Sequence, residues 1–347
     1  MEELIEATIE GELPPERITG PDGAVAALLD PSIAPGWKGA FLSALTDRGE
    51  TPAEIGAFAS AFLERAVAPS LDRDAVGRPL LDVCGTGGDK LGLFNVSTGA
   101  VFVLAACGVA VVKHGNRGIT SPSGGADVLE ALGVRIDLPP QDFGRCLAEV
   151  GAGFLFAPLY HPAFKIVAPI RKHLAEWGKR TVFNLLGPLL NPARPEYQLI
   201  GVFDPAVGPA FARILPQLGR ESAWVVHGRT EDGLGMDEIS TLGPTTMWKT
   251  SSPDPVESTI EPSSLGFAPA TTGDLAGGGA AENATVLTAI LEGAERGPKR
   301  DIVVLNAAAG LVVAGIAADL PEGIARAGEA LDSGAALAVL ERWRNFV

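Results

Sequence analysis

Two glycine-rich loops lie within residues 81–133, each between apolar runs. The first is Gly85–Asp89 (GTGGD), followed closely by Asn95–Thr98 (NVST). The second is Lys113–Arg117 (KHGNR), which leads into the serine-rich segment Ser121–Gly125. Short apolar runs beside glycine-rich turns predict a strand–loop–helix unit that is used twice. Such repetition indicates a mainly parallel sheet with helices on its faces, because parallel strands are joined by crossover connections.

The same loops predict an anion site. Glycines let the backbone approach a ligand closely, and Asn95 and Ser123 are predicted N-caps, so each loop would lead to the free N–H groups of a helix start. Helix starts bind phosphates, and Lys113, His114 and Arg117 add cations at the same edge. One glycine-rich turn alone is more often an ordinary connection. Two in one short segment, one of them basic, favour a phosphate site.

Together with further motifs, these loops resemble the anthranilate phosphoribosyltransferase family of tryptophan biosynthesis. Each motif alone is weakly specific, but so many in this order are highly specific, and they extend over most of the chain. The further motifs are HPAFK at His161–Lys165, RTVFNLLGPLLNP at Arg180–Pro192, QLIGVF at Gln198–Phe203, MDEIS at Met236–Ser240, AEN at 281–283 and NAAAG at 306–310.

The fold class expected is α/β, in two domains. The resemblance implies a small N-terminal all-helical domain over residues 1–74, completed by helices around 161–190. It also implies a larger α/β domain over residues 75–347, with a central, mainly parallel sheet flanked by helices. The residues agree, since Thr51–Glu54 predicts a capping box and Pro162–Trp177 has the apolar spacing of a helix. The resemblance sets that second helix at the hinge between the domains, with Arg171 facing the cleft.

The resemblance implies transfer of a phosphoribosyl group from phosphoribosyl pyrophosphate to the amine of anthranilate. Such a reaction needs stabilisation of the departing pyrophosphate more than a strong base, and backbone amides, cations and Mg²⁺ supply it. No residue is therefore assigned as an acid or base, and Lys113 is expected to act electrostatically. The residues expected on the donor are Gly85, Gly88, Asp89, Asn95, Ser97, Thr98, Lys113, His114, Gly115, Asn116, Arg117, Ser121 and Gly125.

Acceptor and metal residues are also implied. Asn116 and Arg171 are expected at the acceptor, where Arg171 would pair with the anthranilate carboxylate. His114 and His161 are further candidates for the lining of that pocket. The adjacent acids Asp237 and Glu238 would hold Mg²⁺, which prefers carboxylates together with substrate phosphates. Two ions are expected, with Ser97 near one of them.

Composition excludes several classes of protein. The net charge of −15 argues against sequence-independent binding of nucleic acid, which requires neutralisation of phosphates. No apolar run approaches the roughly 20 residues of a membrane span, and the acidic N-terminal segment does not have the pattern of a signal peptide. The three cysteines show no metal-ligand spacing. A cytoplasmic location is therefore expected, with no membrane or nucleic-acid partner, and the resemblance implies a homodimer that associates through the helical domain.

Three departures from the family pattern leave alternatives open. Leu93 stands where the family usually has Thr, and Gly125 where it usually has Ser, so two hydroxyls near the phosphates are missing. Ala175–Trp177 lengthens the segment after Arg171. A paralogue that uses another aromatic acceptor, or a non-catalytic relative that binds ligand, therefore remains an alternative. A nucleoside phosphorylase is disfavoured by KHGNR and by the intact Asp-Glu step, and association with an anthranilate synthase subunit stays open.

Overall fold

The computed structural model describes residues 1–118, 122–251 and 254–347. The strands are β1 (Leu80–Gly85), β2 (Ala110–Gly115), β3 (Ala152–Phe156), β4 (Tyr197–Gly201), β5 (Ser222–Arg229), β6 (Gly235–Met236), β7 (Thr245–Lys249) and β8 (Val256–Ile260). The helices are α1 (Glu2–Glu10), α2 (Pro15–Thr19), α3 (Ala24–Leu29), α4 (Pro35–Arg48), α5 (Pro52–Leu63), α6 (Arg73–Val76), α7 (Val96–Ala106), α8 (Gly125–Ala131), α9 (Phe143–Val150), α10 (Ala157–Tyr160), α11 (Phe164–Glu176), α12 (Phe183–Leu186), α13 (Gly208–Gln217), α14 (Ala280–Leu291), α15 (Pro298–Val313), α16 (Leu320–Asp332) and α17 (Ala335–Arg344).

The chain forms two compact units. The helical unit comprises Met1–Ala68 with Ala157–Pro192, and the α/β unit comprises Pro69–Phe156 with Ala193–Val347. These bounds differ by a few residues from the expected domains, 1–74 with 161–190 and 75–347, whose separate roles stay a prediction. In the described residues, the structure has no helix with the length and apolar character needed to cross a membrane.

The helical unit is built from α1–α5 and α10–α12. The predicted capping box is confirmed at the start of α5, where the Glu54 N–H donates to Thr51 Oγ1 and the Thr51 N–H donates to Glu54 Oε2. The predicted helix over Pro162–Trp177 is confirmed as α11, with Pro169 inside it. The rings of Phe62, Phe164 and Phe183 meet edge to face, with centroids 5.1–5.5 Å apart.

The α/β unit contains one mixed sheet, which confirms the predicted fold class. Its strand order is β3-β2-β1-β4-β5-β7-β8, and β6 pairs with β5. Pairing is parallel from β3 to β5 and antiparallel among β5, β7 and β8. The main core packs α7, α14, α15 and α17 against side chains of the strands, such as Leu81, Val83, Leu199 and Val226.

The sheet predicts where a ligand binds. After β1 the chain continues to β2 and β3 on one side, and it later returns to add β4 on the other, so the strand order reverses at β1. Ligands of open α/β sheets bind outside the carboxyl ends of the strands at such a reversal. Both glycine-rich motifs lie at that edge, because β1 ends at Gly85 and β2 ends at Gly115.

Candidate active site

The β1 loop (residues 86–95) joins β1 to α7, and Asn95 is the N-cap residue, as predicted. Its side chain, however, contacts two other segments of the chain. Asn95 Oδ1 accepts hydrogen bonds from Ser123 Oγ (3.3 Å) and Asn283 Nδ2 (2.9 Å), and Asn95 Nδ2 donates to the Ser123 carbonyl (3.2 Å). Asn95 therefore ties the start of α7 to the segments that precede α8 and α14.

The described part of the β2 loop (residues 116–118) is held by the first turn of α8. The prediction that Ser123 caps this helix is wrong, because the N-cap is Gly124. The cap forms through Asp127, whose Oδ2 accepts the N–H groups of Gly124 (2.9 Å) and Gly118 (2.8 Å). Sequence favoured Ser123 because its hydroxyl suits an N-cap, whereas the capping carboxylate comes from within the helix.

Arg117, expected on the donor phosphates, is paired with acidic residues of α8. Its guanidinium lies 3.0 Å from Asp127 and 2.7 Å from Glu130, and it lies over the Phe156 ring at 5.8 Å from the centroid. The two carboxylates raise its pKa further above the ordinary range. A role on phosphate stays a prediction for Arg117. Ser121, also expected there, lies outside the described residues.

Asp237 and Glu238 lie at the same edge and bind the β1 loop and the start of α7. Asp237 Oδ2 accepts the N–H of Gly87 (2.7 Å), and Glu238 Oε1 accepts the N–H of Ser97 (3.1 Å). The Ser97 N–H, expected to be free for a phosphate, is thus already donated to a carboxylate. Glycine is required at Gly85, because a Cβ atom there would collide with the Asp237 carboxylate.

Burial strongly raises the pKa values of this acidic pair. Burial, followed by the charge of Asp89, raises the pKa of Asp237 to about 7. Burial and then the charge of Asp237 raise the pKa of Glu238 to about 8. Desolvation disfavours ionised carboxylates unless a cation compensates them, so the pair has the electrostatic character of a cation site.

Lys113 supplies a buried positive charge beside the pair. Its side chain is 4% exposed, and Nζ donates to the Val83 carbonyl (2.8 Å) and to Ser97 Oγ (3.1 Å). Burial lowers its pKa, while nearby acids, Asp82 foremost, oppose that change. A desolvated ammonium group interacts more strongly with an anion than one in water does. This arrangement suits the binding of a polyanion.

The acidic pair offers ligand atoms that fit Mg²⁺. In the described ranges, His, Cys, Asp and Glu side chains form no group of three or more that could hold a metal. Mg²⁺ characteristically uses one or two carboxylates and completes its coordination with water and substrate phosphates. Asp237 and Glu238 offer that number of hard oxygen ligands, next to loops suited to phosphate.

The remaining donor-side residues surround these groups. Thr98 is 1% exposed and lies under Gly125, whose Cβ position is 3.6 Å from Thr98 Oγ1. Asn116 Oδ1 accepts the N–H of Arg117 (2.8 Å) and so shapes the β2 loop. The predicted residues that the structure brings to this edge of the α/β unit are Gly85, Gly88, Asp89, Asn95, Ser97, Thr98, Lys113, His114, Gly115, Asn116, Arg117, Gly125, Asp237 and Glu238.

His161 and Arg171 belong to the helical unit. His161 is 4% exposed, and burial lowers its pKa to about 4, so it is neutral at physiological pH. Arg171 lies over the Phe183 ring at 5.4 Å, and burial lowers its pKa. Trp177, expected to lengthen the wall beside Arg171, is 75% exposed, and its ring meets His173.

Several polar residues that support the site had no role assigned from sequence. Asn306 of α15 binds both main-chain groups of Ile239 (3.0 and 2.9 Å) and so fixes the acidic pair that precedes it. Asn283 of α14 binds Asn95, and Asp82 of β1 accepts the N–H of His114 (3.3 Å). A usable signal existed, since each of the three polar side chains interrupts an apolar run.

Comparison with known proteins agrees with this geometry. Residues 77–337 match the family described as "Glycosyl transferase family, a/b domain". The chain is 52% identical to the anthranilate phosphoribosyltransferase of Thermomicrobium roseum over 268 residues, 76% of this chain and 75% of that protein. The crystal structure of the Thermus thermophilus anthranilate phosphoribosyltransferase superposes with a TM-score of 0.87 at 42% identity and 98% coverage of both chains.

A second solved structure carries ligands. The Saccharomyces cerevisiae anthranilate phosphoribosyltransferase in complex with PRPP (phosphoribosyl pyrophosphate) and Mg superposes with a TM-score of 0.82 at 28% identity. That superposition covers 98% of this chain and 91% of the yeast chain. The resemblance inferred from the motifs is thereby confirmed. The chain belongs to the anthranilate phosphoribosyltransferase family.

Proposed function

We propose that this protein transfers the phosphoribosyl group of phosphoribosyl pyrophosphate to the amine of anthranilate and releases pyrophosphate. The observation that carries the proposal is the buried cation Lys113 beside the half-buried acids Asp237 and Glu238, at the edge where both glycine-rich loops begin. Membership of the family and the PRPP and Mg complex of the yeast relative support it.

The chain's own groups act mainly on the leaving pyrophosphate. As the bond from the ribose carbon to pyrophosphate breaks and the bond to the amine nitrogen forms, negative charge accumulates on the departing phosphates. Lys113 stabilises that charge from a fixed position, together with those N–H groups of the two loops that no carboxylate accepts, so little reorganisation accompanies the reaction. The aromatic amine attacks as a neutral nucleophile, and the proton that it loses once the new bond has formed passes to water or to the released pyrophosphate, so the mechanism requires no strong general base.

Mg²⁺ is part of the proposal. Asp237, Glu238 and the Ser97 hydroxyl would hold it, and we propose that two ions take part. When bound, the metal supplies positive charge to the phosphate oxygens and lowers the barrier to their departure. The raised pKa of each acid supports this role, because a cation would restore the ionised form.

Acceptor recognition is proposed to involve Arg171. A guanidinium that pairs with the anthranilate carboxylate forms charge-assisted hydrogen bonds, each worth about 1.5–3 kcal/mol. Its partial burial supports the role, because desolvation strengthens such a pair. Asn116, His114 and His161 are proposed to line the acceptor.

A homodimer that forms through the helical unit, located in the cytoplasm, completes the proposal. Between α4 and α11 lies a groove of about 580 Å³, lined mainly by apolar atoms of residues such as Gly39, Pro169 and Ile170. Trp37 and Ile166 are 48% and 46% exposed. Exposed apolar patches of this kind mark interfaces. A monomeric mass in solution at working concentration would contradict the dimer.

The decisive experiment measures pyrophosphate release from phosphoribosyl pyrophosphate with Mg²⁺, with and without anthranilate. Release that depends on anthranilate supports the proposal. Release that depends on another aromatic amine but not on anthranilate supports the paralogue. Absence of turnover with donor still bound supports a non-catalytic relative that binds ligand.

Arg171→Ala tests the acceptor assignment. Loss of one charged pairing should raise the anthranilate KM by about ten- to a hundredfold and leave the donor KM nearly unchanged. The matched control is Lys172→Ala, which removes an exposed positive charge from the next position of α11. Equal anthranilate KM values for both variants and the parent would remove Arg171 from the acceptor site.

A further inference from the structure

A row of buried polar groups crosses the α/β sheet behind the site. Asp82 on β1 is 1% exposed, Gln198 on β4 is 0% exposed, and Arg220, which precedes β5, is 3% exposed. Arg220 Nε donates to Gln198 Oε1 (2.8 Å), and Gln198 Nε2 donates to Asp82 Oδ2 (3.1 Å). Asp82 Oδ1 accepts the N–H of His114 on β2 (3.3 Å). The row thus links three strands and ends on the backbone of the KHGNR motif.

The row ends where the backbone hydrogen bonding between β1 and β2 has stopped. Among the described residues, the ladder between β1 and β2 spans Leu80↔Ala110 and Leu81↔Val111. The β2–β3 ladder continues to Gly115↔Phe156, and the β1–β4 ladder continues to Gly85↔Gly201. Beyond the short ladder, β1 and β2 are joined by side chains: Asp82 binds the His114 N–H, and Lys113 Nζ binds the Val83 carbonyl.

Stability alone does not favour such a row. Central strands of parallel sheets are normally apolar on both faces. Burial of a carboxylate and a guanidinium costs free energy that well-packed apolar residues would avoid. The polar groups of the row are nevertheless joined by hydrogen bonds from Arg220 Nε to Gln198 and from Gln198 Nε2 to Asp82, although Arg220 Nη2 is buried without a partner among the described residues. Its position beside the end of the β1–β2 ladder indicates that it sets geometry.

We propose that Asp82 is a positioning residue, which together with Gln198 and Arg220 sets the spacing of the β1 and β2 carboxyl ends. That spacing fixes Lys113 and the backbone of the KHGNR motif for the pyrophosphate part of the donor. The inference rests on the proposed function, because it requires that a pyrophosphate group binds at this edge.

Asp82→Asn tests the row with an isosteric change. In one orientation of the new amide, its NH2 group faces the His114 N–H, and in the other orientation it faces Gln198 Nε2. In both cases two hydrogen-bond donors oppose each other. If Gln198 turns instead, the conflict moves to Arg220 Nε. Mismatched buried donors are costly, and β1 and β2 should separate. The Kd for pyrophosphate with Mg²⁺, measured by calorimetry, and the donor KM should rise about tenfold.

The second variant, Asp82→Asn with Gln198→Glu, restores the pattern of donors and acceptors. The new amide at position 82 would accept from the His114 N–H and donate to the new carboxylate at position 198, which would also accept from Arg220. The pyrophosphate Kd should return to within about threefold of the parent value. If the double variant melts like the parent but binds pyrophosphate as weakly as Asp82→Asn, the proposal is overturned, because the charge at position 82 would then be what matters.

Control variants distinguish an effect on the position of the binding groups from an effect on the stability of the fold. Val225→Ala, at a fully buried site of β5, should lower the melting temperature without changing the pyrophosphate Kd. If Asp82→Asn does not fold, Arg220→Lys perturbs the far end of the row, and an unchanged Kd there overturns the proposal. An unchanged Kd in Asp82→Asn does the same. If the parent itself neither binds nor turns over the donor, the proposed function has failed instead.

Discussion

The β1 and β2 loops are anchored by carboxylates at very different distances along the chain. In the β1 loop, the N–H of Gly87 donates to Asp237, which is 150 residues away. In the β2 loop, the N–H of Gly118 donates to Asp127, nine residues away. The β2 loop is therefore shaped by its own helix, whereas the β1 loop takes its shape from a distant, half-buried acidic pair.

This difference predicts that the two loops respond differently to Mg²⁺ and to pH. The acids that hold the β1 loop are those proposed to bind Mg²⁺, and burial raises their pKa values to about 7 and about 8. Metal and pH should therefore change the β1 loop. Asp127 has a lowered pKa, because hydrogen bonds from Gly118, Gly124 and Arg117 outweigh the effect of its burial. It stays ionised at neutral pH, so the β2 loop should be insensitive to both conditions.

The largest effect is expected from Asp237→Asn combined with Glu238→Gln. The variant keeps the side-chain shapes but removes the charges proposed for the metal, so kcat/KM at low Mg²⁺ should fall by about a thousandfold and recover partly at high Mg²⁺. The matched control is Glu231→Gln with Asp232→Asn, an exposed acidic pair in the preceding turn, which should stay within about twofold of the parent. Equal losses at all magnesium concentrations would contradict a metal role.

The second effect is a pH dependence of stability that comes from the acidic pair. Folding raises the pKa of Asp237 from 3.8 to about 7 and that of Glu238 from 4.5 to about 8. For such groups the contribution to stability is present below the unfolded pKa and is lost as pH rises through the folded pKa. Because the lowered pKa of His161 has the opposite effect below about pH 6.5, the metal-free protein should melt at progressively lower temperature from about pH 6.5 to pH 8 on account of this pair.

Mg²⁺ reverses that loss, because it binds the ionised acids. Its Kd should rise at least about tenfold from pH 8 to pH 6, as the pair takes up protons. Thermal melts with and without Mg²⁺ across this range, together with calorimetry in two buffers, measure the linkage. A Mg²⁺-induced melting shift of the same size at pH 6 and pH 8 would show that these acids do not bind the ion.

Local signals predicted much of the fold. Thr51 and Glu54 are three residues apart, so their capping box is readable from sequence and is confirmed. Strands β1 and β2 follow from short apolar runs, and their parallel arrangement follows from the alternation with helices. These features depend on neighbours in the chain, which the sequence displays directly.

Long-range contacts were not predictable in the same way. Asn95 is of a residue type that favours N-cap positions, but its side chain accepts a hydrogen bond from Asn283, which is 188 residues away. Ser123 and Gly124 both suit a cap, and the choice depends on Asp127, which binds the Gly124 N–H. Asp82 lies inside an apolar run that predicts a strand correctly, while its pairing with Gln198 requires the register of the sheet.

The third effect concerns the β2 loop alone. Asp127→Asn leaves one acceptor oxygen for Gly118, Gly124 and Arg117, so the loop should loosen and the donor KM should rise by about three- to tenfold. The dependence on Mg²⁺ should match that of the parent. Glu130→Gln is the control, because it removes only the exposed ion pair with Arg117 and should have little effect. A changed magnesium dependence in Asp127→Asn would show that the two loops are coupled.

The smallest effect is expected from Gly125→Ser, at the first residue of α8, where the family usually has serine. A Cβ atom there would lie 3.5 Å from Lys113 Cε and 3.6 Å from Thr98 Oγ1, which are ordinary contacts, so a Cβ atom fits without strain. One added hydroxyl beside the phosphates contributes about 0.5–1 kcal/mol, so the donor KM should fall by about two- to fivefold. Gly328→Ser in α16, a site of similar room near Arg300, reports the effect of serine on helix stability alone. A donor KM that rises in Gly125→Ser would mean that the absence of the hydroxyl suits this chain's donor geometry, and that the start of α8 is adjusted for glycine.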